Sequence, residues 1–343
     1  MSAAALITAR LASLIVCSGC GGGLEAVDAA LRCGACARVF PVVGGIPDMR
    51  LAYEDPYVSW EEDLARAREL AERFDELEFA DLLREHWRRS GKRPELAERF
   101  LAGDLVSLRR SQAYVAALER RRGPLGPDDR FLEIGCGTAG LAAAGGRAGT
   151  VVASDVSMRW LVLARRRLHD LGCHDVELVC CSAEEPPFRE GCFDVVGASD
   201  VIEHAARQAD FVTGCAKILR DGGMLFLATP NRFSLGLEPH VRLWGVGWLP
   251  RGLAPRYVRR LRHAPYDHVR LLSSRELRRM LGRSGLLVRI EAPEIPPATQ
   301  EIYRGLELQL VKLYNRARLI GPVRRSLLLI GPFFHIFATK EGR

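Results

Sequence analysis

The chain has 343 residues, of which 48% are hydrophobic and 27% charged, and this leaves ample apolar material for two domains or one large one. No apolar run reaches the length of a membrane span, and the net charge of +7 is spread along the chain, so it permits anionic partners without indicating a dedicated nucleic-acid-binding segment. Ten cysteines in a chain of this length fit a reducing cytoplasm better than a secreted disulfide scaffold.

Two C-x-x-C pairs with twelve residues between them characterise the first fifty residues. Their four thiolates can surround one Zn²⁺ tetrahedrally; they belong to Cys17, Cys20, Cys33 and Cys36. Because four thiolates leave no open position, we expect the zinc to be structural and to supply folding energy. The alternative is that the cysteines are ordinary buried thiols. Residues 11–16, an apolar run just before the first pair, are predicted to form a strand rather than a targeting segment.

The segment after the second pair strengthens the zinc interpretation. Residues 40–47 follow the pattern F-P-V-x-x-G-I-P, which resembles the end of a Trm112-type zinc ribbon. We therefore assign residues 1–52 to a small zinc-ribbon domain. Residues 53–127 follow with apolar side chains at helical spacing and a second amphipathic run over 96–118, so we predict a helical linker that also covers the cofactor cleft.

Residues 128–230 show the pattern of a nucleotide-binding core. A strand at 131–134 contains Glu133 and is followed by a loop with Gly135, Gly137 and Gly140. Such a strand, glycine turn and helix let the backbone approach a ligand closely. A second strand at 151–154 ends in Asp155, where a carboxylate can bond both hydroxyls of a ribose. Further strands are predicted at 176–180, 193–198 and 224–229.

The run E-x-G-C-G-T-A-G followed by V-V-A-S-D-V-S resembles the S-adenosylmethionine (SAM) site of class I methyltransferases. The resemblance implies a Rossmann-like α/β fold with a seven-stranded sheet over residues 128–343, in which strands at 286–291 and 333–338 complete the sheet and the last one is antiparallel. It also implies a set of cofactor-binding residues: Glu133, Gly135, Cys136, Gly137, Gly140, Asp155, Ser182, Ala183 and Ser199. In this set Glu133 positions the methionine end, Asp155 holds the ribose, and Ser182 with Ala183 lies at the adenine. Ser182 departs from the pattern, because an Asp usually stands there.

Residues 199–204 follow the fourth strand and resemble the D-V-x-E-H run of a group that includes the ubiquinone-pathway O-methyltransferases. We expect Asp200, Glu203 and His204 to project to one side of an early helical turn. Three interpretations stay open: His204 is a general base, the three residues hold a divalent cation, or Glu203 and His204 only fix this loop against the sheet.

Two C-terminal features concern the acceptor. Residues 231–270 are an insertion rich in aromatic residues, His and Arg, which we interpret as an acceptor-binding segment or a lid, and we treat His240, His263 and His268 as separate histidines. Residues 302–332 are amphipathic, with a helix predicted over 302–320, and they would serve as a lid, a dimer contact or a membrane-surface segment.

These features predict a SAM-dependent methyltransferase that acts on a small-molecule or lipid-like acceptor, at oxygen, in the cytoplasm or at the periphery of a membrane. Two alternatives remain from the sequence: an RNA methyltransferase, because zinc ribbons also occur fused to such enzymes, and a SAM-binding scaffold without turnover. The sequence leaves the oligomeric state open.

Overall fold

The computed structural model describes residues 6–52 and 58–342. The first residues of the predicted zinc ribbon and of the predicted helical linker lie outside these ranges. The strands are Leu24–Val27 (β1), Ala30–Cys33 (β2), Val39–Val43 (β3), Ile46–Pro47 (β4), Arg130–Ile134 (β5), Thr150–Asp155 (β6), Glu177–Cys180 (β7), Phe193–Ser199 (β8), Leu219–Pro230 (β9), Leu286–Glu291 (β10) and Phe333–Lys340 (β11). The helices are Ala9–Leu14 (α1), Trp60–Glu72 (α2), Phe79–Arg88 (α3), Pro94–Arg122 (α4), Gly140–Ala144 (α5), Met158–Asp170 (α6), Gln208–Ile218 (α7), Ala254–Arg262 (α8), Ser274–Arg283 (α9), Pro297–Gln300 (α10), Gly305–Ala317 (α11) and Gly321–Ile330 (α12).

Seven strands form one sheet in the order β10-β11-β9-β8-β5-β6-β7. The five strands from β7 to β9 run parallel, and β11 pairs antiparallel with both β9 and β10. The central strands are buried along nearly their whole length, as expected for parallel strands with helices on both faces. The predicted Rossmann-like sheet with an antiparallel last strand is therefore confirmed.

Alternate side chains of the sheet enter two separate cores. Leu132 and Ile134 of β5 face one core, which contains residues of α1, α7, α9 and the first ribbon strands. Phe131 faces the other core, which contains residues of α2 to α6. The carboxyl ends of the parallel strands lie between these layers at one edge, which is where open α/β sheets bind their ligands.

The N-terminal residues form a four-stranded antiparallel sheet, β1-β2-β3-β4, that is attached to the edge strand β7. Asp48 forms a bridge with Cys180 of β7, and the Met49 amide donates to the Cys180 carbonyl over 2.8 Å. Cys17 and Phe40 are buried in the same core as the sheet. The cysteine-rich sheet therefore shares a hydrophobic core with the large sheet.

The prediction of a strand over residues 11–16 is wrong, because α1 occupies most of this run. The Thr8 hydroxyl accepts a hydrogen bond from the Leu11 amide and caps the helix, and Leu11 and Leu14, one helical turn apart, are both buried. Only Ile15 and Val16 are extended, and they contact the loop at Pro187 and Phe188.

A buried ion cluster connects α2 with the start of α6. The Asp63 carboxylate accepts from Arg50 at 3.1 Å, from the Arg159 guanidinium at 2.8 Å, and from the Met158 amide at 2.9 Å. Asp63 is fully buried, and the side chains of Arg50 and Arg159 are at most 5% exposed. Since Arg50 also donates to the carbonyl of Val156, the cluster lies beside the residue after Asp155.

The helix predicted over 302–320 forms as the shorter helix α11, and a second helix, α12, follows it within the amphipathic segment. Arg304 is extended and Gly305 has a φ of +53°, so α11 begins at Gly305, and the chain turns before Gly321 to begin a second helix. The leucines of the predicted apolar side are exposed, and Val311 is the buried residue of α11. No described helix has the length and apolar character needed to cross a membrane.

Candidate active site

The loop between β5 and α5 has backbone conformations that glycine favours. Gly135 and Gly137 have φ values of +66° and +49°. A Cβ atom on Gly135 would lie 2.4 Å from the Val201 side chain, whereas a Cβ on Gly137 would meet no protein atom within 4 Å. The loop is therefore packed on one side against the segment after β8, and it faces open space on the other.

Two buried carboxylates fix the shape of this loop. Asp155, at the end of β6, accepts from the amides of Gly137 and Ser157, each at 2.9 Å. Glu133 accepts from the amides of Leu141 and Ala142 at 3.2 and 2.7 Å, and burial raises the pKa of Glu133 to about 8. Each carboxylate oxygen can accept more than one hydrogen bond, so these contacts leave Asp155 able to bond a ribose.

Helix α4 packs against the outer side of the glycine loop, and the covering of the cofactor cleft by these helices stays a prediction. The buried Arg167 of α6 donates to the Thr138 hydroxyl at 2.8 Å and to the Ser107 hydroxyl of α4 at 2.7 Å. Burial lowers the pKa of Arg167 to about 10, which still leaves the guanidinium charged near neutral pH. Gly140 also lies against α4, because a Cβ there would approach the Ser111 hydroxyl to 2.7 Å.

The segment after β7 contains a carboxylate that the sequence reasoning did not single out. The Ser182 hydroxyl donates to Glu184 at 2.7 Å, and the other Glu184 oxygen accepts from the Ala206 amide at 2.9 Å. Ser182 and Ala183 remain partly exposed at this edge of the sheet, whereas Glu184 is buried. The acidic pair at 184–185 was the available signal, and the role of Ser182 and Ala183 at the adenine stays a prediction.

Ser199 ends β8 and Asp200 follows it, just before Val201, which packs against the glycine loop. The Ser199 hydroxyl donates to the Asp200 carboxylate at 3.2 Å, and Arg110 of α4 lies 3.8 Å from the same carboxylate. Asp200 has a φ of +59° and its side chain is 51% exposed. Because Asp200 is left-handed and the hydrogen-bonded turn that contains Glu203 and His204 begins at Val201, Asp200 does not belong to the same helical turn, contrary to the prediction.

A histidine pair forms where the insertion meets the segment after β8. The Nε2 atoms of His204 and His240 lie 3.1 Å apart, and the rings are nearly perpendicular. Glu238, which is buried, lies 2.5 Å from Nδ1 of His240. Burial lowers the pKa of His240, but the hydrogen bond with Glu238 and the nearby acids outweigh it, so the pKa is raised. The ring of His268 stacks on His204 with centroids 6.4 Å apart.

The interpretation of His240 and His268 as separate histidines is therefore corrected. Their distance along the chain from His204 concealed the contact, and no spacing within the insertion indicated it. His263 is exposed and lies at the C-terminal end of α8.

Glu203 lies beside the pair of His204 and His240. It is buried, and one of its oxygens accepts from the Thr229 hydroxyl at 2.8 Å, while the other has no hydrogen-bond partner among the described residues. The pKa of Glu203 is raised because the group is buried and because Asp200 is nearby. Ligand atoms of Glu203, His204 and His240 lie within 4.8 Å of one another and could hold a divalent cation. The predicted cation site of Asp200, Glu203 and His204 stays a prediction, and the group of possible ligands that the structure brings together contains His240 and not Asp200.

The four cysteines of the ribbon lie together as the sequence predicts. Their sulfur atoms are all within 4.8 Å of one another, with Cys17 and Cys36 at 3.6 Å and Cys20 and Cys33 at 3.5 Å. A tetrahedral Zn²⁺ with Zn–S bonds of about 2.3 Å holds its sulfurs roughly 3.8 Å apart. The cluster fits a structural zinc ion, and it lies in the ribbon sheet and not among the residues after β5, β6 and β8.

Comparison with known proteins agrees with this geometry. Residues 132–227 match the family described as a methyltransferase domain. The ubiquinone biosynthesis O-methyltransferase of Parvibaculum lavamentivorans is 28% identical over 249 residues, which cover 70% of this chain and 92% of that protein. The enzyme of the same name from Chelativorans sp. is 29% identical over 62% of this chain and 79% of that protein. The enzyme from Thiobacillus denitrificans is 33% identical over 46% of this chain and 64% of that protein.

Among solved structures, the phosphoethanolamine N-methyltransferase 2 of Haemonchus contortus in complex with S-adenosyl-L-methionine aligns with a TM-score of 0.45 and 18% identity, over 67% of this chain and 53% of that one. The geranyl diphosphate C-methyltransferase of Streptomyces coelicolor A3(2) aligns with a TM-score of 0.46 and 18% identity, over 67% of this chain and 78% of that one.

The residues that match this family extend from β5 through the glycine loop and β6 into β9, and these elements carry the predicted SAM site. The glycine loop with its open side and the acid at the end of β6 fit SAM. Neither the family nor these relatives supports the RNA-methylating or the scaffold alternative. The chain is a SAM-dependent methyltransferase of class I.

Proposed function

We propose that this enzyme methylates a hydroxyl group of a small, lipid-like molecule and that His204 is the general base. The observation that carries the proposal is the line of groups Glu238, His240 and His204 beside the end of β8. The names of the relatives, which are O-methyltransferases of ubiquinone biosynthesis, favour oxygen as the methylated atom. The exposed apolar side chains of the insertion favour an acceptor with an apolar part.

The histidine pair can take up the proton that O-methylation releases. SAM, when bound, supplies a methyl group on a positively charged sulfur. When the acceptor oxygen takes this methyl group, Nε2 of His204 would accept the hydroxyl proton. The acceptor oxygen would enter between the two Nε2 atoms and replace their contact, and Glu238, which holds Nδ1 of His240, would leave Nε2 of His240 free to donate to that oxygen. Helix α4 and the insertion cover the site and exclude water.

A divalent cation is the second candidate for activating the hydroxyl. It is favoured by the oxygen of Glu203 that has no hydrogen-bond partner among the described residues and by the two imidazoles beside it. A cation bound there would lower the pKa of the acceptor hydroxyl and make a protein base unnecessary. The two candidates differ in their response to a chelator.

The test is a transfer assay with SAM labelled in its methyl group and phenolic acceptors that carry or lack an apolar tail. We expect label in an ether product, preferentially with the tailed acceptors. His204→Ala should lower kcat by about 10²- to 10⁴-fold without changing the Kd for SAM. His263→Ala is the matched control, since His263 is exposed. Full activity of the His204 variant would refute the base, and loss of wild-type activity in EDTA that Mg²⁺ restores would favour the cation.

A further inference from the structure

The C-terminal helices expose an unusual amount of apolar surface. Leu306, Leu310 and Leu313 lie on one side of α11 and are 75%, 55% and 61% exposed. In the turn that follows, Leu319 and Ile320 are 75% and 56% exposed. We call these five residues the exposed leucine surface. The three leucines of α11 follow one another at helical spacing and form a stripe on one side of the helix, and Leu319 and Ile320 extend the exposed apolar surface into the turn before α12.

Helix α11 is held to the protein by its polar side. The Tyr314 hydroxyl donates to the Pro293 carbonyl at 2.7 Å, and the Asn315 side chain exchanges two hydrogen bonds with the backbone of Ile295, each at 3.0 Å. Arg318 forms an ion pair with Glu294 at 2.6 Å. These contacts fix the rotation of the helix, so the leucines point outward because the helix is anchored that way and not because it has detached.

Basic side chains surround the exposed leucine surface. Between residues 305 and 330 the chain carries five basic residues and one acid, and that acid, Glu307, forms an ion pair with Arg242. Lys312 and Arg316 flank the stripe on α11, and Arg324 and Arg325 lie in the first turns of α12. All four are exposed, and none has an ion-pair partner among the residues that the structure describes.

The insertion adds two tryptophans next to α12. Leu235 donates from its amide to the carbonyl of Ile330 at 3.1 Å, which joins the insertion to the end of α12. The indole of Trp244 donates to the carbonyl of Leu235, and that of Trp248 to the carbonyl of Ser234, each at 3.1 Å. The two indoles are thereby held at the surface with 60% and 47% of their area exposed. Tryptophan is enriched where protein meets the lipid headgroup region.

We propose that the exposed leucine surface docks on a membrane that contains anionic phospholipids. Leucines insert among the acyl chains, the basic side chains contact the headgroups, and the tryptophans lie at the boundary. At 1.5 Å per residue α11 is roughly 20 Å long, so it lies along the membrane surface. A second copy of the chain is the less suitable occupant, because a twofold contact would bring the basic residues of both copies together. The proposal is independent of the acceptor, since it concerns a surface and not the reaction.

The test is co-sedimentation of the full-length protein with vesicles, measured without SAM or acceptor. Wild-type protein should bind vesicles of phosphatidylglycerol and phosphatidylcholine, and bind pure phosphatidylcholine much less. The double variant Leu310→Gln with Leu313→Gln should lose on the order of tenfold or more in partition coefficient. Leu287→Gln is the matched control, because Leu287 is 58% exposed on β10, outside the proposed surface, and should bind like the wild type.

Three outcomes would overturn the proposal: no binding of the wild type to anionic vesicles, equal binding of the double variant, or equal loss in the Leu287 variant. Sedimentation velocity without vesicles addresses the competing occupant. A wild-type dimer that the double variant abolishes would assign the surface to a second copy and would also overturn the proposal. Arg324→Gln with Arg325→Gln should weaken binding to anionic vesicles and reduce its salt dependence.

Discussion

Asp63 offers a sharp test of how the N-terminal part of the chain is connected to the SAM site. Its carboxylate is fully buried and contacts the guanidinium groups of Arg50 and Arg159 and the first amide of α6, at Met158. Asp63→Ala would leave two buried cations without this carboxylate and would remove a capping acceptor from α6. Arg50 would keep its pair with Asp48, so part of the cluster would survive.

The expected loss of stability follows from these contacts. Removing one partner of a buried ion pair costs about 3–5 kcal/mol, and removing a helix cap costs about 1 kcal/mol. Because Arg50 retains Asp48, we expect a total loss of about 4 kcal/mol. A typical domain has a free energy of unfolding of about 5–15 kcal/mol, so the change should be large.

Urea unfolding followed by circular dichroism measures this change. Glu62→Ala is the matched control, because Glu62 is the preceding residue of α2 and forms only an exposed i,i+4 pair with Arg66, worth about 0.3–0.5 kcal/mol. The Asp63 variant should also bind SAM more weakly, since α6 follows Asp155 directly. A loss below about 1 kcal/mol, or one no larger than that of the Glu62 variant, would refute the reasoning.

Three further predictions concern the zinc ribbon, the glycine loop and the cap of α9. Purified protein should contain one zinc per chain by elemental analysis, and Cys33→Ser should lose the zinc and unfold the ribbon; a zinc-free variant that folds normally would contradict the structural role. Gly135→Ala should abolish SAM binding in a titration, because the added Cβ would collide with Val201 and the residue has a positive φ. Burial raises the pKa of Glu276, but its hydrogen bonds with Ser273 outweigh burial and the pKa is about 2. A lowered carboxyl pKa stabilises the fold above the unfolded value and less as pH falls, so the deficit of Glu276→Gln in urea midpoint should shrink between about pH 5 and about pH 2. A deficit that stays constant over this range would contradict the assignment.

The nucleotide-binding core could be predicted from the sequence because its signals are local. The glycine loop and the acid that ends the next strand are separated by one helix and one strand, so their spacing already contains the geometry. Asp155 is 20 residues after Gly135, and the structure joins it to Gly137 by a hydrogen bond. The strand order followed from the resemblance to a known sheet.

The histidine pair could not be predicted, because the contact of His204 with His240 depends on how the insertion folds back. The insertion has a small core of its own, and no periodicity within it specifies where that core rests against the sheet. In the sequence Glu238 has no feature that distinguishes it from a surface acid, yet in the structure it is buried beside His240.

Helix α11 illustrates a different limit of sequence reasoning. Its periodicity correctly groups Leu306, Leu310 and Leu313 on one side, but periodicity cannot tell whether that side faces the protein or the solvent. The orientation is fixed by Tyr314 and Asn315, whose hydrogen bonds to distant backbone atoms leave no local pattern.

The most direct test of the central claim is a calorimetric titration of the purified protein with SAM, S-adenosylhomocysteine and NAD. We predict that the first two bind and that NAD does not. Asp155→Ala should lose both, whereas Asp175→Ala, at an exposed residue ahead of β7, should bind like the wild type. Binding of NAD, or SAM binding that is unchanged in the Asp155 variant, would contradict the assignment of the cofactor site to the loop between β5 and α5.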